Sequence, residues 1–490
     1  MAIRPLKSIF NLDVLTDGQV EKIKQATLQV LDEVGVQIRS DEMLAELGKA
    51  GARTDDVSGN AYFSPELVNE SLALAPRELH FGARDPENDL YLDGETSYLG
   101  VDGCAAEYLE WDTDIRRPST KTDVATIARI ADAIPQLSYI WQPVTAREEH
   151  VLSSPVHEVQ AEWHNTTKHI MQMTAVNGDQ ARSLVEMATA IQGSNEELRK
   201  RPVLSAFQCS ISPLTYDGGP LEAAKVYGAA GIPNGFMVMP ITSATAAASV
   251  AGTLVGSNSE IIAGIVIHQL LNPGAPTFYG SCATMMDMRS GAAACGGPED
   301  IFFQAANAQL AHSYSVPCII GTFASGSKTH DWQTGSENGI SGMASALGRA
   351  DLCSGAGLLY GARVFSPVQM LLDADLFELI ALFAEGYGFD EEQLAIDVIK
   401  NVGPGGHYLG EEHTLKHMRD FYYPAYYNRQ MWEDWEEAGK PKPEEAARDK
   451  IREILETHVP EPLPDDISAE FDKIVARLDE KVRAEDEDWD

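Results

Sequence analysis

The chain has 490 residues, 44% of them hydrophobic, enough for a large core and more than one compact domain usually needs. Its 74 acidic against 37 basic side chains leave a formal charge of −37, which opposes the electrostatics of a polyphosphate backbone and excludes nucleic acid as a partner. No uninterrupted apolar run approaches the roughly 20 residues that span a bilayer, and the start MAIRPLKSIF lacks an apolar signal core, so a cytoplasmic protein with no membrane partner is expected.

Near the start, Thr16 and Gln19 are spaced as a capping box. Val20, Ile23, Thr27, Val30, Leu31 and Val34 then recur at helical spacing up to Gly35. Residues 79 to 111 alternate around the turn signals Arg84-Asp85-Pro86 and Asp93-Gly94, as short strands and hairpins do. An N-terminal helical and hairpin cap over residues 1–95 follows.

From there short strand-like runs recur, each followed by a helical stretch. The runs are Ser97–Asp102, Ser138–Gln142, His169–Thr174, Pro202–Cys209, Gly235–Pro240, Pro276–Ser281, Val316–Gly321 and Asp351–Tyr360. Amphipathic segments lie between them, at Asp123–Ala133, Asp179–Ile191, Leu221–Ala229, Ala246–Leu271, Pro298–Tyr314 and Gly335–Leu347. Eight such units predict an α/β fold, a (β/α)8 TIM barrel over residues 96–385. An open doubly wound sheet is the alternative, but no GxGxxG turn follows a strand to support it. Residues 386–490 read as a C-terminal helical extension, with charged amphipathic helices near 443–458 and 467–483 and a solvated acidic tail from Glu485 to Asp490.

The working groups of such a barrel lie at strand ends and in the loops that follow. Tyr98, Trp141, Phe207, Phe236, Tyr279, Phe323 and Tyr360 all fall on or just beyond predicted strands. Rings around one mouth would make a box for a quaternary ammonium cation, although each ring taken singly also reads as barrel core. The candidates from this set are Tyr98, Trp141, Phe207, Tyr279 and Tyr360, together with the polar Asp102, Gln172 and Gln208. The loop after the seventh run, from Ser325 to Gln333, is the richest polar stretch and adds Lys328, His330, Asp331 and Gln333; Asp331 and Ser327 are equally suited to cap the next helix.

No metal is expected. His413 with His417, and His164 with His169, are paired in sequence but bring no third ligand, and the six scattered cysteines include no CxxC pair. No GxSxG nucleophile elbow occurs, and no catalytic acid, base or nucleophile set is assigned.

Five blocks, residues 10–38, 251–276, 279–299, 354–377 and 402–414, resemble the trimethylamine:corrinoid methyltransferase family, in particular its branch without pyrrolysine that demethylates quaternary amines such as glycine betaine. The diagnostic stretch is PCIIGTFASGSKTHDWQTGSE, Pro317 to Glu337. Matched through Lys328, Asp331, Gln333 and Glu337, it puts Ala324 where the trimethylamine enzymes carry pyrrolysine. Ser325-Gly326 replaces a Ser-Asp, and His330 stands where proline is usual. The resemblance implies methyl transfer from a quaternary amine, glycine betaine or a related betaine, to the Co(I) of a cobalamin carried by a cognate corrinoid protein. It implies no tightly bound cofactor on this chain, and a homo-oligomer is expected. Two other readings stand beside it: a non-catalytic betaine-binding or corrinoid-docking scaffold, and a tertiary-amine demethylase working without pyrrolysine.

Overall fold

The computed structural model describes residues 2–103, 105–173 and 175–485. The acidic tail beyond Glu485, Cys104 and Thr174 at the end of the third predicted strand lie outside the described residues.

Eight parallel strands close into a barrel: β1 (Thr96–Val101), β2 (Leu137–Trp141), β3 (His169–Gln172), β4 (Leu204–Cys209), β5 (Asn234–Val238), β6 (Tyr279–Ser281), β7 (Cys318–Gly321) and β8 (Leu352–Ala356). Each pairs with the next in sequence, and β8 pairs back onto β1 with Leu352 opposite Tyr98, which leaves no open edge and rules out the doubly wound alternative. Register shifts between Leu137 and Tyr139 and between Cys353 and Ala356 flank β1 and bend the sheet to closure.

The strands are followed by α1 (Lys121–Asp132), α2 (Ser154–Asn165), α3 (Gly178–Gln192), α4 (Gly218–Ala230), α5 (Val250–Leu271), α6 (Pro298–Tyr314), α7 (Trp332–Leu347) and α8 (Pro367–Glu385). Each of the eight predicted runs overlaps a barrel strand. The helix α2 was not foreseen. Helix α5 is long and apolar enough to cross a membrane, but most of it is buried against the barrel and the N-terminal layer.

That layer begins with the helix Asp17–Glu33, whose Thr16 amide donates to Gln19 Oε1 at 2.8 Å, the expected capping box. This helix and Pro65–Leu74 pack on α5. The hairpin Leu79–Phe81 with Leu90–Leu92 closes the N-terminal end of the barrel. Its Leu79, Phe81, Leu90 and Leu92 join one cluster with the inward side chains Tyr98, Tyr139, Trp141, Met171, Phe207, Met237, Phe278, Ile319 and Leu352. Phe81 stacks on His169 at 4.7 Å and meets Phe278 edge-on at 5.7 Å, so aromatic rings seal the base.

At the other terminus, Pro443–Thr457 packs on α8 and α1, and Asp465–Glu485 lays Phe471, Ile474 and Leu478 against α2 and α3. Between α8 and these helices lie short helices and their connections carrying exposed apolar side chains, among them Phe389 (82% exposed), Leu409 (88%), Leu415 (70%) and Trp432 (65%).

Candidate active site

Successive side chains on a strand point to opposite faces, so in a closed barrel one parity fills the interior and the other meets the helices. Trp141 and Phe207 belong to the inward set and meet edge-to-face with ring centroids 4.5 Å apart and planes at 81°. They form a floor. Above it opens a cavity of about 180 Å3, smaller than the roughly 300 Å3 at which drug-sized pockets begin, and therefore suited to a ligand of few atoms. A more voluminous cleft, lined by residues from Glu391 to Lys416, is open and charged and lies away from the strand ends. The cavity over the strand ends is the better site, because it is enclosed and every barrel unit can reach it.

Strand ends supply its wall in order: Asp102 after β1, Trp141 on β2, Met173 after β3, Phe207 and Cys209 on β4, Met239 after β5, Cys282 and Thr284 after β6, Gly321 and Ala324 on and after β7, and Gly361 and Ala362 after β8. Asp300 and Gln304, from the first two turns of α6, complete it. The surface is mostly apolar, with two carboxylic acids. Asp102 accepts the Gly103 amide at 2.6 Å. Asp300 accepts the Gly296 amide at 2.8 Å and Gln304 Nε2 at 3.1 Å. Burial raises Asp102 to about 7 and Asp300 to about 6, since neither has a cation beside it to offset desolvation.

Two loops roof the site. The Gly361 amide donates to Ser325 O at 2.9 Å and the Tyr360 amide to Ser327 O at 2.6 Å, so the loops after β7 and β8 are joined backbone to backbone. They approach closely enough that a Cβ on Gly355 would lie 1.9 Å from Thr322 O, and Gly355 itself sits at φ +108°. Phe323, Tyr360 and Ala362 hold φ values of 40°, 54° and 66°, unusual for residues with a side chain. Glu337 of α7 braces the β7 loop: its Oε2 accepts Ser325 Oγ at 2.6 Å and the Gly326 amide at 2.9 Å, and its Oε1 accepts Gln333 Nε2 at 2.9 Å.

Of the thirteen residues singled out from sequence, the structure brings Asp102, Trp141, Phe207 and Ala324 together in this cavity. Three of the five rings expected to face one mouth do not line it. Tyr98 lies at the sealed base, its Oη accepting the Tyr91 amide at 3.2 Å. Tyr279 has the outward parity and donates from its hydroxyl toward Asn258 Oδ1 of α5 and Asn307 Oδ1 of α6, at 3.0 and 2.9 Å. Tyr360 flanks the roof, with Lys328 Nζ 5.0 Å and the Arg363 guanidinium 5.6 Å from its ring centroid.

Gln172 and Gln208 also have the outward parity. Gln172 accepts from Tyr227 of α4 at 3.0 Å, and Gln208 donates to Asn234 at 3.1 Å. The loop residues brace the scaffold. Lys328 is exposed and donates to Gly326 O at 2.7 Å. His330, whose pKa burial lowers, has Nε2 2.8 Å from Ser366 Oγ. Asp331 is the N-cap of α7, accepting the Thr334 amide at 3.0 Å and Ser327 Oγ at 2.9 Å, and Gln333 holds Glu337.

Met173, Met239, Thr284, Cys295, Asp300 and Gln304 also line the cavity and were not singled out. A sequence signal existed for two of them: Met173 and Met239 continue the inward parity of Met171 and Met237 by two residues.

The two histidine pairs lie elsewhere. His413 and His417 meet with ring centroids 4.4 Å apart and planes tilted by 42° on the surface segment after α8. His169 is buried between Gly82 O and Ser205 Oγ, and His164 meets Phe471. Among the described residues, His312, Cys318 and Asp351 bring possible ligand atoms within 4.8 Å of one another. They sit at the opposite end of the barrel, where Asp351 already accepts the Gly94 and Cys318 amides.

Residues 2–482 match the trimethylamine methyltransferase (MTTB) family. A trimethylamine methyltransferase MttB from Desulfitobacterium hafniense is 34% identical over 472 residues, 96% of this chain and 95% of that protein. A glycine betaine methyltransferase from another strain of that species is 32% identical over 478 residues, covering 96% and 98%. Among solved structures, the Methanosarcina barkeri monomethylamine methyltransferase (MtmB) superposes over 89% of this chain and 92% of its own, at 10% identity and a TM-score of 0.47. The family match over residues 2–482, with a relative 34% identical over 96% of the chain, shows that the chain belongs to the trimethylamine methyltransferase (MTTB) family.

Proposed function

We propose that the protein transfers a methyl group from a quaternary amine, the class to which the glycine betaine of one relative belongs, to the Co(I) of a corrinoid carried by a separate protein. The observation that carries this reading is Ala324. It lines the cavity at the position where the sequence resemblance sets pyrrolysine in the trimethylamine enzymes. An uncharged amine is a poor methyl donor and has to be converted to an ammonium before a methyl can leave. A quaternary amine already carries that charge, so attack on one methyl carbon by the reduced cobalt breaks the C–N bond and releases a neutral tertiary amine.

What remains for the chain is to orient the methyl and exclude water, which the enclosed apolar wall suits. Trp141 and Phe207 supply ring faces and edges to the methyl groups that stay. A ring wrapped round the departing methyl would oppose the reaction, because cation–π attraction fades as the charge is neutralised.

The corrinoid protein docks over the strand-end mouth of the barrel in this reading. The exposed apolar stretch from Phe389 to Trp432 supports a homo-oligomer, since solitary chains rarely expose so many large apolar groups together. Sedimentation of the native protein against a variant with Phe389→Asp and Leu409→Asp tests this; equal sedimentation as monomers overturns it.

The main test is a panel of glycine betaine, proline betaine, carnitine, choline and trimethylamine, each incubated with the protein and a cognate corrinoid protein reduced to Co(I). Formation of methyl-Co(III) from a quaternary amine is expected. No methylation from any compound would refute the proposal, and methylation from trimethylamine alone would replace it with tertiary-amine chemistry.

A further inference from the structure

The charges in the cavity narrow the substrate further than the reaction class does. Its described lining contains Asp102 and Asp300 and no lysine, arginine or histidine. The basic groups nearest in sequence lie outside the lining, Arg289 among them as an exposed side chain. Lys328 and Arg363 lie over the Tyr360 ring, and His330 Nε2 faces Ser366 Oγ. Resting on the methyl-transfer reading above, we propose that the substrate is a quaternary ammonium ion of net positive charge, with Asp102 and Asp300 as its counter-charges, and that short zwitterionic betaines are selected against.

Geometry gives the reason. In glycine betaine a single methylene separates the nitrogen from the carboxylate. A cavity of about 180 Å3 that takes the trimethylammonium head must therefore take the carboxylate as well. That carboxylate would lie among two fixed acids with no described base to pair it, and juxtaposed like charges of this kind suppress binding strongly. A hydroxyl or an alkyl group in its place meets no such penalty. The wall can donate to an acceptor only through neutral groups such as the Thr284 hydroxyl, since Gln304 Nε2 already donates to Ala283 O and Asp300 Oδ1 at 2.9 and 3.1 Å.

The acids also make binding respond to pH. Burial leaves Asp300 near 6 and Asp102 near 7 in the empty cavity, so at neutral pH a fraction of each is protonated. An entering cation favours the ionised forms and expels those protons. The other titratable groups facing them are Cys295, whose thiol burial raises to about 12, Glu337 of α7 on the Asp300 side, and the buried Tyr139 hydroxyl on the Asp102 side. The thiol and the phenol stay neutral over the range that matters.

Calorimetry on the intact protein, without the corrinoid partner, reads this directly. The probes are tetramethylammonium, choline, glycine betaine and the neutral 3,3-dimethylbutan-1-ol, at pH 6 and pH 8, in buffers of differing ionisation enthalpy. Tetramethylammonium and choline are expected to bind on the order of a hundredfold more tightly than glycine betaine. Their affinity should rise about tenfold from pH 6 to pH 8, with proton release that fades at the higher pH. Asp300→Asn and Asp102→Asn should each weaken the cations about tenfold and leave the neutral alcohol unchanged. Glycine betaine binding as tightly as choline, or cation binding that ignores pH, overturns the proposal, and the pH series needs no variant to fold. The two readings fail separately: cations that bind but never methylate cobalt refute the enzyme assignment alone, whereas glycine betaine turning over faster than choline refutes the charge assignment alone.

Discussion

Replacing Glu337 with alanine removes the acceptor for the Ser325 hydroxyl and the Gly326 amide, at 2.6 and 2.9 Å, two of the bonds that hold the β7 loop over the cavity. Hydrogen bonds to a charged group contribute about 1.5 to 3 kcal/mol each, so the lower figure gives about 3 kcal/mol for the pair. That is roughly two orders of magnitude in the ratio of ordered to disordered loop. The bonds from Gly361 and Tyr360 to Ser325 O and Ser327 O remain, and they keep the loop from being lost altogether. Amide hydrogen exchange over residues 324–328 is expected to accelerate ten- to hundredfold, and tetramethylammonium affinity to fall about tenfold by the fraction of time the wall is absent. The melting temperature should hardly move, because the loss is local. Glu337→Gln keeps an acceptor toward the loop and should lie between. Exchange unchanged in the loop, or raised equally in β2 and β4, would refute the view that this carboxylate braces the cavity wall.

Trp141→Leu should weaken tetramethylammonium by up to about 2 kcal/mol, roughly thirtyfold, and leave 3,3-dimethylbutan-1-ol nearly unaffected; equal losses would mean the ring acts by shape alone. Tyr279→Phe strips the hydroxyl from Asn258 and Asn307 and should cost about 1 to 3 kcal/mol in urea unfolding with no change in ligand affinity, whereas a change in affinity would move this residue into the site. Burial raises Asp102, Glu158 and Asp373 to about 7 and Asp300 and Asp351 to about 6. An unfolded chain releases those protons near pH 4, so this share of the stability is complete below that pH and is lost as pH rises through 6 and 7. Asp89, held near 2 by His80 and Arg201 against its desolvation, keeps its own contribution throughout that range. Burial of His169 and His268, lowered to about 4, and of Lys168, lowered to about 7, acts in the opposite sense over this range, so the acids are read by difference: Asp373→Asn should lose less melting temperature from pH 5.5 to pH 8 than the unsubstituted protein, and an identical profile would refute the protonation of that acid.

The barrel was legible because each strand is a short apolar run bounded by turn residues, and the spacing between runs leaves room for one helix. The helix α2 was not: Val156, Val159 and Trp163 recur at i, i+3 and i+7, but Glu158, Gln160 and Glu162 between them read as solvent-facing and are buried as well. Glu158 meets Gln142 and the Ala146 amide there, at 2.9 and 2.7 Å, contacts that no local pattern announces. The site was half legible for a related reason. A barrel strand is buried on both faces, so polarity does not alternate along it and cannot say which side chains face inward. Tyr279 and Trp141 look alike in sequence and end on opposite sides of the wall. The loop after β7 stood out for its polar residues, yet most of those residues bond within the roof, and the groups presented to the cavity are its smaller neighbours, Gly321 and Ala324.

The aromatic seal that Phe81, His169 and Phe278 make at the base bears on kinetics as well as stability. A vessel stoppered at the bottom has one door. Under the proposed reaction the amine and the corrinoid protein use it in turn: amine first, since a docked partner covers the way in, and demethylated amine last, after the methylated partner has departed. Steady-state patterns should be those of a compulsory-order reaction, with excess corrinoid protein inhibiting by closing an empty vessel.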